Sequence, residues 1–358
     1  MKRNWPLQRA WLPEPGSFKN DIYLETVMKS VTHSIPEGHG QRSGVGRRLL
    51  STYRTEIAIA IAIIVIELAV GMIVPAALSG GNISNVTQAA APLVIMAFGV
   101  LLVIITGGID LSVGSVFSMT GMVTGLAMAH GYGAIASSLA GLSVGLVIGA
   151  INGALVTFVG LAPFVVTLST YAIAGSLSFI VTDGHSLPIS NPDYWLLNSG
   201  TLIPGVPNYA LWCVLLLVAI EYCLRKVVAG RWLYAIGSSS SSARVIGIPV
   251  NRVRLGAYLL SGLFASFASI VSVSYISNAE ATAGSSLMLQ AIAAVVIGGA
   301  SLFGGTGSAI GALLGALMIT IIQNGANLIG VNSFWQGTVT GVVILIAVLV
   351  DRVTKARR

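Results

Sequence analysis

The sequence predicts an all-α, polytopic integral membrane protein with about ten transmembrane helices and with both termini in the cytoplasm. Of its 358 residues, 55% are hydrophobic and only 9% are charged, whereas about a quarter of the residues in a soluble domain are charged. Because the chain lacks the polar surface that a soluble protein of this size needs, lipid must cover its apolar side chains. The distribution of basic residues then orients the helices.

All 19 lysines and arginines lie in three clusters, with nine in residues 2–54, six in residues 225–254 and four in residues 352–358. Lysine and arginine near the ends of membrane spans stay on the cytoplasmic side. The three clusters are therefore predicted to be cytoplasmic, and an even number of spans must separate each neighbouring pair of clusters.

Ten apolar segments are long enough to cross the hydrocarbon layer, which takes about 20 helical residues. Six of them precede the second basic cluster and four follow it, so hydropathy and charge agree. In chain order the predicted spans are 56–77, 87–106, 112–130, 134–158, 161–181, 209–226, 254–277, 286–302, 305–326 and 334–350.

The spans divide the chain into a polar cytoplasmic extension (1–55), a transmembrane domain (56–352) and a basic cytoplasmic tail (353–358). Two connections are long, 182–208 on the outer side and 225–254 on the cytoplasmic side. Connections longer than about 12–15 residues are usually functional or disordered. Each is therefore a candidate surface for a partner, and the alternative is a connection that is merely long.

The cytoplasmic connection carries the start and stop signals of a short helix. The serines from Ser238 to Ser242 can cap a helix that runs through SARVIG, and Gly247 and Pro249 can end it. A short helix in a cytoplasmic loop can dock on another protein and move with it as a rigid body.

Glycine recurs at every fourth position of the fourth span, at Gly141, Gly145, Gly149 and Gly153. Such stripes of small residues let helix backbones approach closely in lipid. The pattern predicts a helix-packing face, and the lining of a pore is the alternative.

One carboxylate, Asp110, lies in the stretch TGGIDLSVGS between the second and third spans. Gly107 and Gly108 are predicted to end one helix, and Asp110 or Ser112 to begin the next, where a carboxylate accepts backbone N–H groups and meets the positive end of the helix dipole. The alternative is that this break lies at membrane depth and lines a path for a polar solute, with Ser115 contributing.

Several other polar residues lie within the spans or at their ends. They are candidates either for a solute path or for hydrogen bonds between helices. They are Asn152, Thr167, Thr170, Gln323, Asn324 and Asn327.

The sequence contains no energy-coupling or catalytic motif. None of the five lysines follows a glycine, so the chain has no P-loop, and its four histidines have no metal-ligand or catalytic-triad spacing. The candidates for ionisable groups at mid-membrane are Glu67 and Asp110, with Glu221 near the end of a span, and these are few for a proton- or sodium-driven carrier. These observations favour a permease, not an enzyme, that uses ATP hydrolysis on a separate subunit and needs no metal, cofactor or nucleic acid. The alternative is a stand-alone secondary carrier or facilitator for a small polar solute.

The order of the motifs resembles a known family. GGIDLSVGS (107–115) is followed by GAINGALVTFVGLAPFVVTLST (149–170), GRWLYAIG and ARVIGIPV (within 230–250), SG (261–262), AIAAVVIGGASLFGGTGS (291–308) and WQGTVTGVVILIAVLVDR (335–352). This set resembles the membrane permeases of bacterial ATP-binding cassette (ABC) importers for monosaccharides, of the ribose, xylose and galactofuranose type.

The resemblance implies a pair of permease subunits, two cytoplasmic ATP-binding subunits and a periplasmic sugar-binding protein at the bacterial inner membrane. It does not identify the solute, because related permeases carry autoinducer-2, and it leaves open whether the pair is a homodimer or a heterodimer. It implies that the cytoplasmic loop couples to the ATPase through Gly230, Arg231, Ala243 and Gly247. It also implies that the outer loop contacts the binding protein, for which the candidates are Asp183, His185, Asp193 and Trp195.

Overall fold

The computed structural model describes residues 53–189 and 191–332, together with eight positions between 334 and 349. Most of the predicted extension 1–55, most of the predicted tenth span and the whole tail 353–358 lie outside the described residues. The division of the chain into these parts stays a prediction.

The described residues form twelve α-helices and one small antiparallel pair of strands. The helices are α1 (Arg54–Ile73), α2 (Gly80–Ile105), α3 (Val113–Ala129), α4 (Ala134–Ala154), α5 (Pro163–Ile180), α6 (Pro192–Ser199), α7 (Asn208–Lys226), α8 (Val228–Ser238), α9 (Ser240–Val245), α10 (Val250–Ile276), α11 (Gly284–Ile297) and α12 (Ala309–Leu328). A 3₁₀ turn (Pro75–Leu78) precedes α2, and a π turn (Leu155–Val159) extends α4. The strands are β1 (Leu187–Pro188) and β2 (Asn278–Ala279), with Leu187 opposite Ala279.

Seven of the described helices are long and apolar enough to cross a membrane, namely α1, α2, α4 with its π turn, α5, α7, α10 and α12. Helices α3 and α11 are apolar but shorter, with 17 and 14 residues. Each of the first nine predicted spans overlaps one of these nine helices. The helical membrane-protein class is therefore confirmed, whereas the count of ten spans and the cytoplasmic termini stay predictions.

The predicted and observed boundaries differ most in the second and eighth spans. The second was predicted to begin at residue 87, but α2 begins at Gly80, because Ser79 caps it by accepting the backbone N–H of Asn82. The eighth was predicted to reach residue 302, but α11 ends at Ile297. There Gly299 takes the left-handed conformation, with φ 90°, that commonly ends a helix.

Helix α2 forms the centre of the bundle. In the most apolar part of α2, 89% of the residues are buried inside the protein, whereas in α1 the corresponding share is 11%. Helix α2 packs against α10, α12 and α11, while α1 packs mainly against α12. The exposed apolar side chains of α1, such as Ile64 and Leu68, therefore form a surface for lipid or for another membrane protein.

The glycine stripe of α4 lies where this helix meets α3 and α10. A methyl group on Gly149 would lie 2.6 Å from the carbonyl oxygen of Tyr258 in α10, and one on Gly145 would collide with the carbonyl oxygen of Gly262. Gly153 faces Leu255 of α10 and Gly141 faces α3. The stripe thus lets two long helices approach backbone to backbone.

The connection 182–208 has a structure of its own, with β1 followed by α6. Tyr194 and Asn198 of α6 are fully buried, and the Asn198 amide donates to the carbonyl oxygen of Val271 in α10 at 3.1 Å. Because β1 pairs with β2, this connection is joined to the segment between α10 and α11.

Candidate functional site

The polypeptide between α2 and α3 is a helix break stabilised by a glycine. Gly107 has φ 77°, and the N–H of Gly108 donates to the carbonyl oxygen of Val103 at 3.1 Å, which is the Schellman arrangement at a helix end. Residues 108–112 separate Gly107 from the start of α3. Asp110, within this segment, is only 1% exposed.

The carboxylate of Asp110 accepts three hydrogen bonds. Its Oδ1 accepts the backbone N–H and the hydroxyl of Ser112, at 3.0 and 2.6 Å, and its Oδ2 accepts the hydroxyl of Ser261 in α10 at 2.8 Å. The capping hypothesis placed such a bond at the start of α3. In the structure Ser112 is the N-cap residue of α3, and its side chain makes no capping bond. The carboxylate of Asp110 accepts the N–H of this N-cap residue and not an N–H of the first turn of α3.

The same network continues into α4 and α5. The Asn152 amide donates to the Ser112 hydroxyl at 2.8 Å, and the Thr170 hydroxyl donates to Asn152 Oδ1 at 2.8 Å. The Thr167 hydroxyl donates to the carbonyl oxygen of Ile109 at 3.3 Å. Hydrogen bonds therefore tie the break to α4, α5 and α10, and we call this set the Asp110 network.

Two further path candidates lie outside this arrangement. The hydroxyl of Ser115 donates to the carbonyl oxygen of Ser112 within its own helix turn, at 2.9 Å. Asn324 of α12 exchanges two hydrogen bonds of 3.1 Å with Asn82 at the start of α2. Asn324 therefore contributes to contact between helices at a different place from Asp110.

The Asp110 network lies within the length of the membrane helices. Ser261 is the twelfth of the 27 residues of α10, which begins at Val250, so it lies about 16 Å along that helix. Irregular backbone at such depth is tolerated where protein buries it or where it lines a cavity.

The connection 225–254 contains the predicted short helix. Ser239 caps α9 by accepting the backbone N–H of Ser242, and Gly247 ends it with φ 82°. Ala243 is buried against Ile236 and Val250, so it fixes α9 on the neighbouring helices.

The other two coupling candidates differ in exposure. Gly230 is buried where α8 folds back on the end of α7, and a methyl group on it would lie 2.6 Å from Leu224 Cα. Arg231 is exposed and donates to the carbonyl oxygen of Lys226 at 3.5 Å.

Sequence reasoning missed the most exposed apolar residues of this connection. Val245 is 87% exposed and Ile246 is 73% exposed, at the end of α9 beside Arg244. The signal was two adjacent apolar residues at the end of a polar helix within a basic loop. Exposed apolar side chains next to polar ones are typical of protein-binding surfaces.

Helix α8 packs directly against the break. The N–H of Gly305 donates to the carbonyl oxygen of Ile105 at 2.9 Å, and the Tyr234 hydroxyl donates to the carbonyl oxygen of Gly307 at 2.8 Å. A methyl group on Gly237 would collide with the Ile105 carbonyl oxygen. The α2–α3 break, the α11–α12 connection and α8 thus meet through backbone.

Burial raises the pKa of Tyr234 to about 12, and the nearby Glu221 carboxylate adds to the rise. An acid stays almost fully protonated at pH values well below its pKa. The hydroxyl of Tyr234 therefore keeps its proton, and its bond to Gly307, throughout the physiological range.

The four outer candidates lie apart from the break. Asp183 and His185 lie in the turn after α5, while Asp193 and Trp195 lie on α6. All four of these residues are exposed. The φ of Asp183 is 51°.

Comparisons with known proteins agree with this architecture. Residues 82–348 match a family described as "Branched-chain amino acid transport system / permease component". A probable ABC transporter permease protein, y4mJ, of Sinorhizobium fredii is 69% identical over 331 residues, which cover 92% of this chain and 99% of the relative. The ribose import permease protein RbsC of Bacillus subtilis is 39% identical over 292 residues, covering 80% of this chain and 90% of the relative. The D-allose transport system permease protein AlsC of Escherichia coli is 34% identical over 276 residues, covering 77% and 84%.

The fold and these comparisons define a multi-pass transport protein of the bacterial inner membrane. The chain belongs to the family of transport-system permease components that matches residues 82–348, and the predicted resemblance to ABC importer permeases is confirmed. It is a transport component rather than a catalytic one.

Proposed function

We propose that this chain is the permease of an ABC importer for a monosaccharide, which a periplasmic binding protein delivers and which separate ATPase subunits drive across the membrane. Relatives of comparable length are named for the import of ribose and D-allose, which supports a sugar of five or six carbons. Two permeases, two ATPase subunits and one binding protein make up the proposed assembly.

The observation that carries this proposal is the exposed end of α9. Val245 and Ile246 are exposed at the end of a short, capped helix in a basic connection. Burial of each side chain against a partner would contribute about 1.5–3 kcal/mol to the free energy of binding. A P-loop ATPase with an apolar cleft would cover them. Arg244, also exposed, provides a charged contact beside them.

The geometry supports a mechanism in which α8 and α9 transmit the motion of the ATPase. A displacement of α9 moves α8, because Ala243 is packed against Ile236. Helix α8 in turn touches the α2–α3 break and the α11–α12 connection through Gly237 and Tyr234. Opening a path then requires the Asp110 network to exchange partners, since its hydrogen bonds hold the break closed against α4, α5 and α10.

Proteoliposomes test the proposal. The chain is co-purified with its ATPase and reconstituted with the loaded binding protein, and uptake of labelled D-ribose and D-allose is measured with ATP, without ATP, and for the chain alone under a pH gradient. We expect uptake only with ATP and all three components. Uptake by the chain alone would establish the secondary-carrier alternative instead.

Two variants test the docking surface within the same assay. Ile246→Glu places a charge at the proposed ATPase contact and should reduce co-purification with the ATPase and ATP-driven uptake together. Leu202→Glu is the matched control for co-purification with the ATPase, because Leu202 is 67% exposed on the connection 182–208. Equal co-purification of the two variants would contradict ATPase docking at α9.

A further inference from the structure

A groove of about 310 Å³ lies on the surface of the bundle where α7 ends and α12 begins. Its apolar part is formed by Leu217 and Val218 of α7 and Ile310 of α12. Arg225 and Lys226, the last two residues of α7, border it at the helix end. Lys226 lies nine residues beyond Leu217, about 14 Å along the helix. The groove therefore runs from the end of a membrane helix into its apolar segment, over roughly half the thickness of the hydrocarbon core.

The end of the groove at the last turn of α7 carries a positive charge without a counter-ion. Glu221 is the carboxylate that lines the groove, and both of its oxygens are occupied. Its Oε1 accepts the Nε–H of Arg225, and its Oε2 accepts the N–H of Ala309 at 3.0 Å. Lys226 is exposed, and among the described residues no carboxylate pairs with it. Because Arg225 and Glu221 compensate each other, the charge of Lys226 is left over.

The start of α1 lies at the same level and adds no excess of negative charge. The ring of Tyr53, the residue before α1, lies against the guanidinium of Arg225, with 5.1 Å between its centre and Cζ. Arg54 in the first turn of α1 is exposed, while Glu56 accepts the hydroxyl of Ser308 at 2.8 Å. An anion at this level would therefore meet more positive than negative charge, and both carboxylates there are already hydrogen-bonded.

We propose that this groove binds an anionic phospholipid, with its phosphate at Arg225 and Lys226 and one acyl chain along the apolar part. Basic pockets between membrane helices bind anionic lipid head groups. The guanidinium of Arg225 has five N–H donors, of which its bond to Glu221 uses only Nε, so its terminal NH₂ groups can contact a phosphate. A soluble anion would contact the basic end alone and would leave the apolar part uncovered.

Lys226→Gln is the main test, made on the full chain purified in detergent. The chain is incubated with micelles that contain dioleoylphosphatidylglycerol or dioleoylphosphatidylcholine, and native mass spectrometry counts the lipids bound per chain. We expect the wild type to bind phosphatidylglycerol in preference to phosphatidylcholine. In Lys226→Gln the affinity for phosphatidylglycerol should fall about fivefold, the attraction of one basic side chain to an anionic lipid, while the affinity for phosphatidylcholine should stay unchanged.

Two further variants serve as controls. Arg252→Gln removes the same charge from an exposed residue of α10 that does not line the groove, and it should bind phosphatidylglycerol as the wild type does. Lys226→Arg should also keep the affinity, because arginine too binds phosphate. Equal affinities of Lys226→Gln and Arg252→Gln for phosphatidylglycerol would overturn the site, since binding would then depend on net charge alone. Equal affinities of the wild type for the two lipids would overturn it as well.

Two competition experiments identify the occupant of the groove. Glycerol 3-phosphate has the phosphate without an acyl chain, and at a concentration equal to that of the lipid it should displace no phosphatidylglycerol. Displacement would show that the groove is a site for a soluble phosphate. Addition of the ATPase subunit should also leave the lipid in place, and release would show that a protein covers this surface in the transporter. Either result would overturn the lipid site without touching the proposed function, since neither experiment measures sugar uptake.

Discussion

Replacement of Asp110 separates the role of its shape from the role of its charge. In Asp110→Asn, the side-chain oxygen can still accept both bonds from Ser112. The new NH₂ group would face the hydroxyl of Ser261, which can turn from donor to acceptor because a hydroxyl has two lone pairs. We therefore expect the unfolding free energy to change by about 1 kcal/mol or less.

Asp110→Ala removes all three acceptor contacts at once. The backbone N–H and hydroxyl of Ser112 and the hydroxyl of Ser261 would lose their partner in a site that is 1% exposed. Each unpaired buried group costs about 1–3 kcal/mol, so the loss should be about 3 kcal/mol or more. By comparison, three hydrogen bonds between membrane helices at the average of about 0.6 kcal/mol each would total about 1.8 kcal/mol, so a loss of about 3 kcal/mol or more would distinguish the network from ordinary helix contacts.

The assay is thermal unfolding of the detergent-purified chain, followed by ATP-driven uptake. Ser115→Ala is the control, because Ser115 is also buried but bonds only within its own helix turn. A stable Asp110→Ala variant would refute the structural role of the network. A stable Asp110→Asn variant that no longer transports would assign the charge itself to the solute path.

Three further predictions concern packing, coupling and topology. Gly145→Ala should destabilise the bundle by about 1 kcal/mol or more, because the methyl collides with the Gly262 carbonyl oxygen and α4 must move away from α10; thermal unfolding measures it. Tyr234→Phe should lower the ratio of sugar transported to ATP hydrolysed, because it removes the bond to Gly307; uptake and ATPase assays on the same proteoliposomes measure it. A tag inserted at Ser240 should be accessible only from the cytoplasm, as accessibility labelling of intact and opened cells would show.

For each of these predictions a control variant or a specific result would contradict the reasoning. Gly256→Ala is the packing control, since a methyl group there meets no atom within 4 Å, and equal stability of the two alanine variants would contradict the account. For coupling the control is Tyr222→Phe, since Tyr222 is 63% exposed on α7. Labelling of the Ser240 tag from outside intact cells would overturn the ten-span topology.

Hydropathy predicted the positions of the membrane helices well, because burial in lipid depends on segment composition and not on tertiary contacts. It failed at the start of α2, where most of the residues from Gly80 to Ser84 are polar or small yet helical. Capping by Ser79 and the Asn82–Asn324 pair stabilise this turn. The second of these contacts spans 242 residues of sequence, so no local pattern could indicate it.

The candidate site could be predicted only in part, for a related reason. Asp110, Ser112 and Asn152 were identifiable because polar residues are rare in apolar segments. Their connection was not identifiable, and neither was the role of Ser261, which lies 151 residues from its partner Asp110. A single serine in an apolar helix has no sequence signal that separates a hydrogen-bonded site from a neutral one.

The glycines at the junction of α8 with the membrane helices explain how a small motion could be transmitted. Because Gly237, Gly304 and Gly305 have no side chains, the backbones of α8 and of the α11–α12 connection touch, and a methyl group on Gly304 would lie 3.0 Å from Gly237 Cα. Close-packed backbone has no rotamers that could absorb a displacement. The start of α12 is held at the same level, since the Glu221 carboxylate accepts the N–H of Ala309 at 3.0 Å. A push on α8 must therefore shift either the α2–α3 break or the start of α12, and the proposed mechanism assigns the opening to the break, whose hydrogen bonds join it to α4, α5 and α10.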